Sequence, residues 1–313
     1  MTGMVYSEQL GLQSDDVVAI IGSGGKTSLL YRLAAENCGR RVLVSTTTKM
    51  YRPVSLVGAG SPRLPSSVGA ASGRPPFPIP EMFPSTVPTQ DNRRDCPATV
   101  QDGGCGYPTL AQDNGQPFAP KQDSGRSKAA PTKGHGRDNP APTKGVYLFH
   151  GGAVGEKIIA PSMEQLAAVS AAYELTLLEC DGARERPLKG WAAHEPVVPS
   201  FATVTVGVLP LWALGQLVKP QLVHRMERFC QLTGAESGEP VTVAHLVAVL
   251  GHPEGLFQKA EGRRVLFLNE RAGERGPAQA EALAEALAPA VRQSLWGVLA
   301  GDIQSGTIRR IAL

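Results

Sequence analysis

A glycine-rich turn, placed between an apolar run and a helical pattern, is the part of this sequence best suited to chemistry. Residues 17–21 have the length of a buried strand, and residues 28–37 have helical spacing. The turn and the start of the helix comprise Gly22, Ser23, Gly24, Gly25, Lys26, Thr27 and Ser28. Backbone N–H groups of such a turn bind phosphate, a lysine reaches the outer phosphates, and a threonine hydroxyl can hold Mg²⁺. We therefore predict a site for ATP or another nucleoside triphosphate with Mg²⁺, although the G-x-x-G-K-T spacing is shorter than usual.

Polar residues also follow the second apolar run, residues 42–46. Thr47, Thr48 and Lys49 stand where a strand would end near the phosphates. Their hydroxyl and ammonium groups suit contacts to phosphate or Mg²⁺, although β-propensity alone explains a threonine within a strand. We predict that these three residues contribute to the nucleotide site.

Two carboxylates end the apolar run of residues 175–180. Glu179 and Asp181 are two positions apart, so their side chains share a face if they lie on a strand. Phosphoryl-transfer sites need an acid opposite the lysine and threonine of the loop. We predict that Asp181 holds Mg²⁺ together with Thr27, and that Glu179 positions a nucleophile or a water molecule.

A cationic segment lies directly downstream of the carboxylates. Arg184, Arg186 and Lys189 fall within six residues and suit the binding of a small anionic substrate or cofactor. Arg184 is also placed to stabilise charge on a transferring phosphoryl group. His194 and Glu195 follow; they are an acid/base couple at the substrate or, in the favoured interpretation, a structural histidine and its neighbour.

An amide follows a later apolar run, residues 265–268. Asn269 is predicted to bind the nucleotide base through its side chain. The following Glu270 and Arg271 match an Asn-Lys-x-Asp base-binding motif only in part.

Composition excludes several classes of protein. Residues 52–145 hold 11 Lys and Arg against 7 Asp and Glu, whereas the rest of the chain has 20 against 21. The remainder is nearly neutral, which argues against a nucleic-acid partner. Five scattered cysteines without a C-x-x-C pair argue against a disulfide framework or a zinc site. Neither a membrane-spanning run nor a signal peptide is recognisable, so we predict a cytoplasmic protein without membrane contact.

Residues 52–145 also divide the folded part of the chain. They contain 16 of the 26 prolines, only 12 Leu, Ile, Val and Phe residues, and two copies of Ala-Pro-Thr-Lys-Gly. Such a segment cannot bury enough apolar surface to offset its ordering entropy, so we predict a disordered, repeat-containing insertion. Residues 1–51 are then the first part of a nucleotide-binding domain. Residues 146–313 are its remainder, with a helical portion at about 221–260.

Outside the insertion, apolar runs alternate with helical patterns. The predicted strands are residues 17–21, 42–46, 146–149, 175–180, 203–208, 265–268 and 296–299. The predicted helices are residues 28–37, 162–173, 221–232 and 277–292. This order is typical of an α/β fold with a mainly parallel sheet and helices on both faces. Ligands bind at the carboxyl ends of the strands in such sheets, which is where the predicted site residues stand.

Together these motifs resemble the selenium cofactor biosynthesis protein YqeC family. The matching pieces are residues 21–27, 44–50, 179–189, 194–199 and 267–269. Cys180 stands where the family usually has alanine, and Glu270 stands where it often has lysine. The resemblance implies a P-loop NTPase-like fold and a role in maturing molybdenum hydroxylases with a selenium-containing cofactor. It implies such a hydroxylase as a partner.

The short loop is also similar to that of Mur-type ATP-dependent ligases, which favours ATP over GTP. The expected function is therefore an ATP- and Mg²⁺-dependent accessory protein of hydroxylase maturation. A Mur-like ligase or a kinase acting on another small carboxylate or alcohol is one alternative. A nucleotide-gated chaperone that delivers cofactor without significant turnover is the other.

Overall fold

The computed structural model describes residues 6–51, 144–271 and 276–312. The predicted insertion lies outside the described residues except for its last two positions, 144 and 145. The strands are β1 Asp16–Gly22, β2 Arg41–Thr46, β3 Lys49–Tyr51, β4 Gly145–Leu148, β5 Gly152–Val154, β6 Lys157–Ile159, β7 Leu175–Glu179, β8 Leu188–Lys189, β9 Val204–Pro210, β10 Val223–His224, β11 Arg263–Asn269, β12 Gly297–Gly301 and β13 Arg309–Ile311. The α-helices are α1 Tyr6–Gln9, α2 Lys26–Glu36, α3 Met163–Ser170, α4 Met226–Thr233, α5 Val243–Gly251, α6 Gly276–Ala286 and α7 Pro289–Ser294.

Eight strands form the main sheet, in the order β13-β12-β11-β9-β1-β7-β2-β4. Every neighbouring pair is parallel except β12 and β13. Within this sheet the chain runs from β1 to β2 and on to the edge strand β4, returns to β7 between β1 and β2, and then crosses β1 to reach β9. The strand order thus reverses at β1, and such a reversal opens a crevice at the carboxyl ends of the strands.

Alternate residues of β1 face two separate apolar cores. Val18 and Ile20 belong to the core that α1 and α2 cover, whereas Ala19 and Ile21 belong to the core that α3, α4, α5 and α6 cover. Every residue of the strand is buried, as expected for a parallel sheet covered on both faces. The predicted α/β class with a mainly parallel sheet is confirmed.

Two predicted helices have different bounds in the structure. The helix predicted at 221–232 begins only at Met226, because β10 precedes it and pairs with β8. The helix predicted at 277–292 is divided into α6 and α7, and α7 begins at Pro289. Proline has no N–H to donate to the preceding turn, so the helix cannot continue through it. The predicted helical portion at about 221–260 therefore contains a short strand as well as α4 and α5.

A small antiparallel sheet, in the order β3-β6-β5, was not predicted. Each of its strands has only three residues, too few for an alternating pattern to be recognised in the sequence. Along the ranges that the structure describes, no helix has both the length and the apolar character needed to cross a membrane.

Candidate functional site at the carboxyl ends of the strands

The predicted phosphate-binding loop leaves β1 and leads directly into α2. Gly24 and Gly25 have φ angles of 68° and 142°, which favour glycine over other residues. A Cβ atom at Gly24 would lie 2.5 Å from Cγ of Pro210, and one at Gly25 would lie 2.6 Å from Nδ2 of Asn269. The loop is therefore held tightly against the carboxyl ends of β9 and β11.

Asn269 contacts this loop directly. Its Nδ2 donates a hydrogen bond of 2.7 Å to the carbonyl oxygen of Gly24. Asn269 is not among the residues that line the cavity beside the loop. Its amide thus holds the loop in place through Gly24. The predicted contact of Asn269 with a nucleotide base stays a prediction.

Lys26, the first residue of α2, is 6% exposed and points back towards the sheet. Its Nζ donates to the carbonyl oxygen of Gly22 at 2.9 Å, and lies 3.2 Å from Oδ1 of Asp181 and 3.9 Å from Oε1 of Glu179. Burial disfavours the ammonium, but attraction to Asp181 and Glu179 prevails and raises the pKa of Lys26. The lysine is therefore charged at neutral pH.

Glu179 lies at the end of β7, level with Ile20 of β1. Its Oε2 accepts a hydrogen bond of 2.6 Å from Oγ1 of Thr27, and its side chain lines the cavity. Burial raises the pKa of Glu179, while Lys26 and the hydroxyl of Thr27 act in the opposite direction. One carboxylate, one hydroxyl and one ammonium thus meet at the start of α2.

Asp181 is fully buried below the loop. Its Oδ2 accepts from the backbone N of Gly22 at 3.2 Å and from Nε1 of Trp191 at 3.0 Å. Both Asp181 and Glu179 contact Lys26, as expected if side chains two positions apart share a face. However, Asp181 does not line the cavity, and Thr27 bonds to Glu179 instead of sharing a site with Asp181.

Lys189 and Glu195 extend these contacts into a row of alternating charges, buried except for its half-buried last member, Arg225: Lys26, Asp181, Lys189, Glu195 and Arg225. Nζ of Lys189 lies 3.4 Å from Oδ2 of Asp181 and 3.1 Å from Oε2 of Glu195. Both oxygens of Glu195 in turn accept from the guanidinium of Arg225. Lys189 is 1% exposed and does not line the cavity, so the structure does not place it with Arg184 and Arg186 as predicted.

His194 and Glu195, which were predicted as a pair, differ in their exposure to solvent. His194 is exposed to solvent, whereas Glu195 is buried. Burial opposes ionisation of Glu195, but Lys189 and Arg225 outweigh it and lower the pKa of this carboxyl. Sequence reasoning missed Arg225, which lies 30 residues further along the chain and carries no motif of its own.

The cavity in front of the loop has a volume of about 490 Å³. Its walls come from the loop and the start of α2, from the small sheet, from Glu179, and from residues 182–186. The predicted residues in these walls are Gly24, Gly25, Lys26, Thr27, Ser28, Lys49, Glu179, Arg184 and Arg186. Met50, Tyr51 and Lys157 also line it and were not predicted, because the small sheet that carries them was not predicted.

The hydroxyl of Thr47 is bound within the chain, whereas Thr48 contributes a backbone contact. Oγ1 of Thr47 donates to the carbonyl oxygen of Val197 at 2.7 Å, and the backbone N of Thr48 donates to Oγ1 of Thr46. Neither Thr47 nor Thr48 lines the cavity. Within the described chain, the buried hydroxyls of Ser23 and Thr48 have no hydrogen-bond partner.

His224 of β10 is a buried neighbour of the charge row. Burial, followed by the positive charges of Arg225, Lys189 and Arg184, lowers its pKa to about 4, while Glu195 acts in the opposite direction. The folded protein therefore binds fewer protons at this histidine than the unfolded chain does between about pH 6.5 and pH 4. Stability contributed by this group is present above that window and is lost as the pH falls through it.

We expect replacement His224→Gln to make the free energy of unfolding less dependent on pH between 7 and 5. Urea unfolding at pH 7, 6 and 5 measures that dependence. The exposed His194→Gln is the matched control and should leave the slope unchanged. Equal slopes for wild type and His224→Gln would show that His224 is not held neutral by its surroundings.

Fold and site together define an α/β protein with a mainly parallel sheet and a polar cavity at the strands' carboxyl ends. The chain belongs to the YqeC family: the family model described as YqeC protein matches residues 18–60 and 117–227. It is 27% identical over 293 residues to the Uncharacterized protein YqeC of Escherichia coli (strain K12). The aligned region covers 92% of this chain and 88% of the relative. No solved structure is significantly similar.

Proposed function

We propose that this protein binds ATP with Mg²⁺ at the loop of residues 22–27, and that its fold is P-loop NTPase-like. The loop itself carries the proposal. Gly25 precedes the first turn of α2 and provides no side-chain hydrogen bond to it. The N–H groups of that turn therefore have no capping side chain, and a helix N-terminus in this condition favours an anion.

The strand order supports the same proposal. β7, which ends in Glu179, lies directly beside β1, which leads into the loop. A carboxylate is thereby brought opposite the lysine and threonine of the loop, as phosphoryl-transfer sites require. The buried hydroxyl of Ser23 has no partner among the described residues, although Ser23 does not line the cavity.

The donor set at the start of α2 fits Mg²⁺. Magnesium prefers oxygen ligands, and the hydroxyl of Thr27 and the carboxylate of Glu179 already lie together on the cavity wall. Bound Mg²⁺ neutralises charge on the phosphates. We assign Thr27 and Glu179 to the metal side and Asp181 to support of the loop. This assignment differs from the predicted one, in which Asp181 holds Mg²⁺ and Glu179 positions a nucleophile or a water molecule.

Lys26 would exchange partners when a nucleotide binds. Its ammonium is held by Asp181, Glu179 and the carbonyl of Gly22, yet its side chain also lines the cavity. Rotation about its side-chain bonds would replace carboxylate contacts by phosphate contacts. Asp181 would keep its buried partners Lys189 and Trp191 during this exchange.

Magnesium dependence tests the assignment of the two carboxylates. We expect Glu179→Gln to reduce the effect of Mg²⁺ on ATP affinity about tenfold, because one charged metal contact is lost. Asp181→Asn should lower the melting temperature and leave the effect of Mg²⁺ intact. Calorimetric titration of ATP and of GTP, each with and without Mg²⁺, provides the measurement. The reverse pattern would support the assignment predicted from the sequence, with Mg²⁺ held by Asp181.

In the cell, we propose a role late in the maturation of a selenium-containing molybdenum hydroxylase. A site for a nucleotide beside a cationic cavity suits the activation or delivery of a small anion. Cells without this protein should then make hydroxylase polypeptide and molybdopterin, but the enzyme should lack labile selenium and activity. A hydroxylase of normal selenium content purified from the deletion strain would contradict this role without affecting the proposal of nucleotide binding.

A further inference from the structure

We propose that the cavity holds a second, phosphate-bearing organic molecule beside the nucleotide, between the small sheet and the turn at residues 182–186. This inference rests on the proposed nucleotide site and specifies the substrate class of the same cavity. The nucleotide phosphates would occupy the wall formed by residues 24–28. The remaining walls, from β3, β6 and the turn, would bind the second molecule.

Four cations stand on these remaining walls. Lys49 and Lys157 come from β3 and β6, and Arg184 and Arg186 come from the turn. In the part of the chain that the structure describes, no carboxylate forms an ion pair with any of the four. Unpaired cations that converge on one cavity attract an anion of more than one charge.

Two carboxylates line the same cavity as these cations, Glu179 and Glu185. Glu179 already contacts Lys26 and Thr27, so its charge is compensated at the other end of the cavity. Glu185 is the other carboxylate that lines the cavity, and it is exposed. The walls away from the loop therefore carry a net positive charge.

The turn is built at an energetic cost. Arg184 and Glu185 have φ angles of 51° and 62°, a conformation that non-glycine residues seldom adopt. The backbone N of Arg186 donates to the carbonyl of Ala183 at 3.0 Å and closes the turn. Strain of this kind occurs where the surrounding structure imposes a functional conformation, and here both arginines of the turn line the cavity.

Arginine and the volume of the cavity point to phosphate on an organic molecule. Guanidinium groups match the oxygens of phosphate in geometry as well as charge. The whole cavity, including its end at the loop, has about 490 Å³, which lies within the range of small-molecule sites. Tyr51 is 45% exposed and supplies an aromatic surface on the wall, with Nζ of Lys157 4.4 Å from its ring centre. Inorganic phosphate alone would leave this surface uncovered.

The experiment uses full-length protein saturated with Mg²⁺ and a non-hydrolysable ATP analogue. Phenyl phosphate, benzoate and inorganic phosphate are then titrated separately by calorimetry. We expect phenyl phosphate to bind most tightly. Arg186→Gln and Lys157→Gln should each weaken it about tenfold, with the affinity for the analogue unchanged. The exposed Lys219→Gln and Lys259→Gln, which lie outside the cavity, are the matched controls.

Three outcomes would overturn the inference. One is failure of phenyl phosphate to bind to the analogue-saturated protein. The second is equal binding of benzoate, which would indicate a carboxylate site. The third is a loss of affinity of the variants for the analogue itself, which would assign these cations to the nucleotide. In each case the analogue still binds to wild-type protein and the proposed function stands, whereas failure of the analogue to bind wild-type protein would reject both proposals.

Discussion

Replacing Lys189 with methionine should lower the free energy of unfolding by about 3–5 kcal/mol, the usual cost of removing one partner from a buried ion pair. The ammonium of Lys189 lies between two buried carboxylates, Asp181 and Glu195. It also donates to the carbonyl oxygen of Gly182 at 2.7 Å. Without the lysine, these oxygens stay buried and lose a charged donor, and little water can replace it.

Each of the two carboxylates keeps a different set of partners when Lys189 is removed. Glu195 keeps both hydrogen bonds from Arg225, whereas Asp181 keeps Lys26, Trp191 and the backbone N of Gly22. The double variant Lys189→Met/Glu195→Gln removes one positive and one negative charge together. It should therefore be more stable than Lys189→Met alone.

Urea unfolding measures both variants, with Lys219→Met as the control for removal of an exposed lysine. The control should change stability by less than about 0.5 kcal/mol, as surface substitutions usually do. A similarly small change for Lys189→Met would mean that Lys189 is not held in the buried charge row. The row would then not support the loop.

The position of the loop, and the strands whose carboxyl ends carry the site, could be predicted from the sequence alone. Glycines followed by Lys26 and Thr27, between a strand-length run and a helical pattern, mark the carboxyl end of β1. Glu179 was identified as well, because a largely apolar run ends there. These features are local in sequence, so spacing alone reveals them.

Roles within the site depend on contacts that spacing does not encode. Glu179 and Asp181 differ because one lines the cavity while the other lies beneath the loop. Lys189 resembles its neighbours Arg184 and Arg186 in the sequence, but the pairing of β8 with β10 buries it. Such distinctions arise from strands of two residues and from partners far apart in the chain.

The small sheet is a second feature that sequence spacing does not reveal. Tyr51 and Lys157 meet across β3 and β6, more than a hundred residues apart in the chain. Nothing near either residue indicates the other. The aromatic and cationic wall of the cavity therefore became visible only in the folded structure.

Replacing Lys26 with methionine should weaken binding of ATP and Mg²⁺ about a hundredfold, since a charge-assisted phosphate contact and its Coulomb attraction are both removed. Lys26 is the charged side chain of the loop itself, and this residue lines the cavity. Calorimetric titration of wild type and Lys26→Met measures the change. Arg32→Met, on the same helix and outside the cavity, is the matched control and should bind ATP normally.

Lys26 also compensates Asp181 and Glu179, so its removal destabilises the fold as well as the complex. The double variant Lys26→Met/Asp181→Asn separates the two effects, because it removes one buried charge of each sign. It should recover part of the stability that Lys26→Met loses, and it should remain defective in binding ATP. Recovery of ATP affinity in the double variant, or equal affinity in wild type and Lys26→Met, would show that Lys26 supports the loop without contacting phosphate.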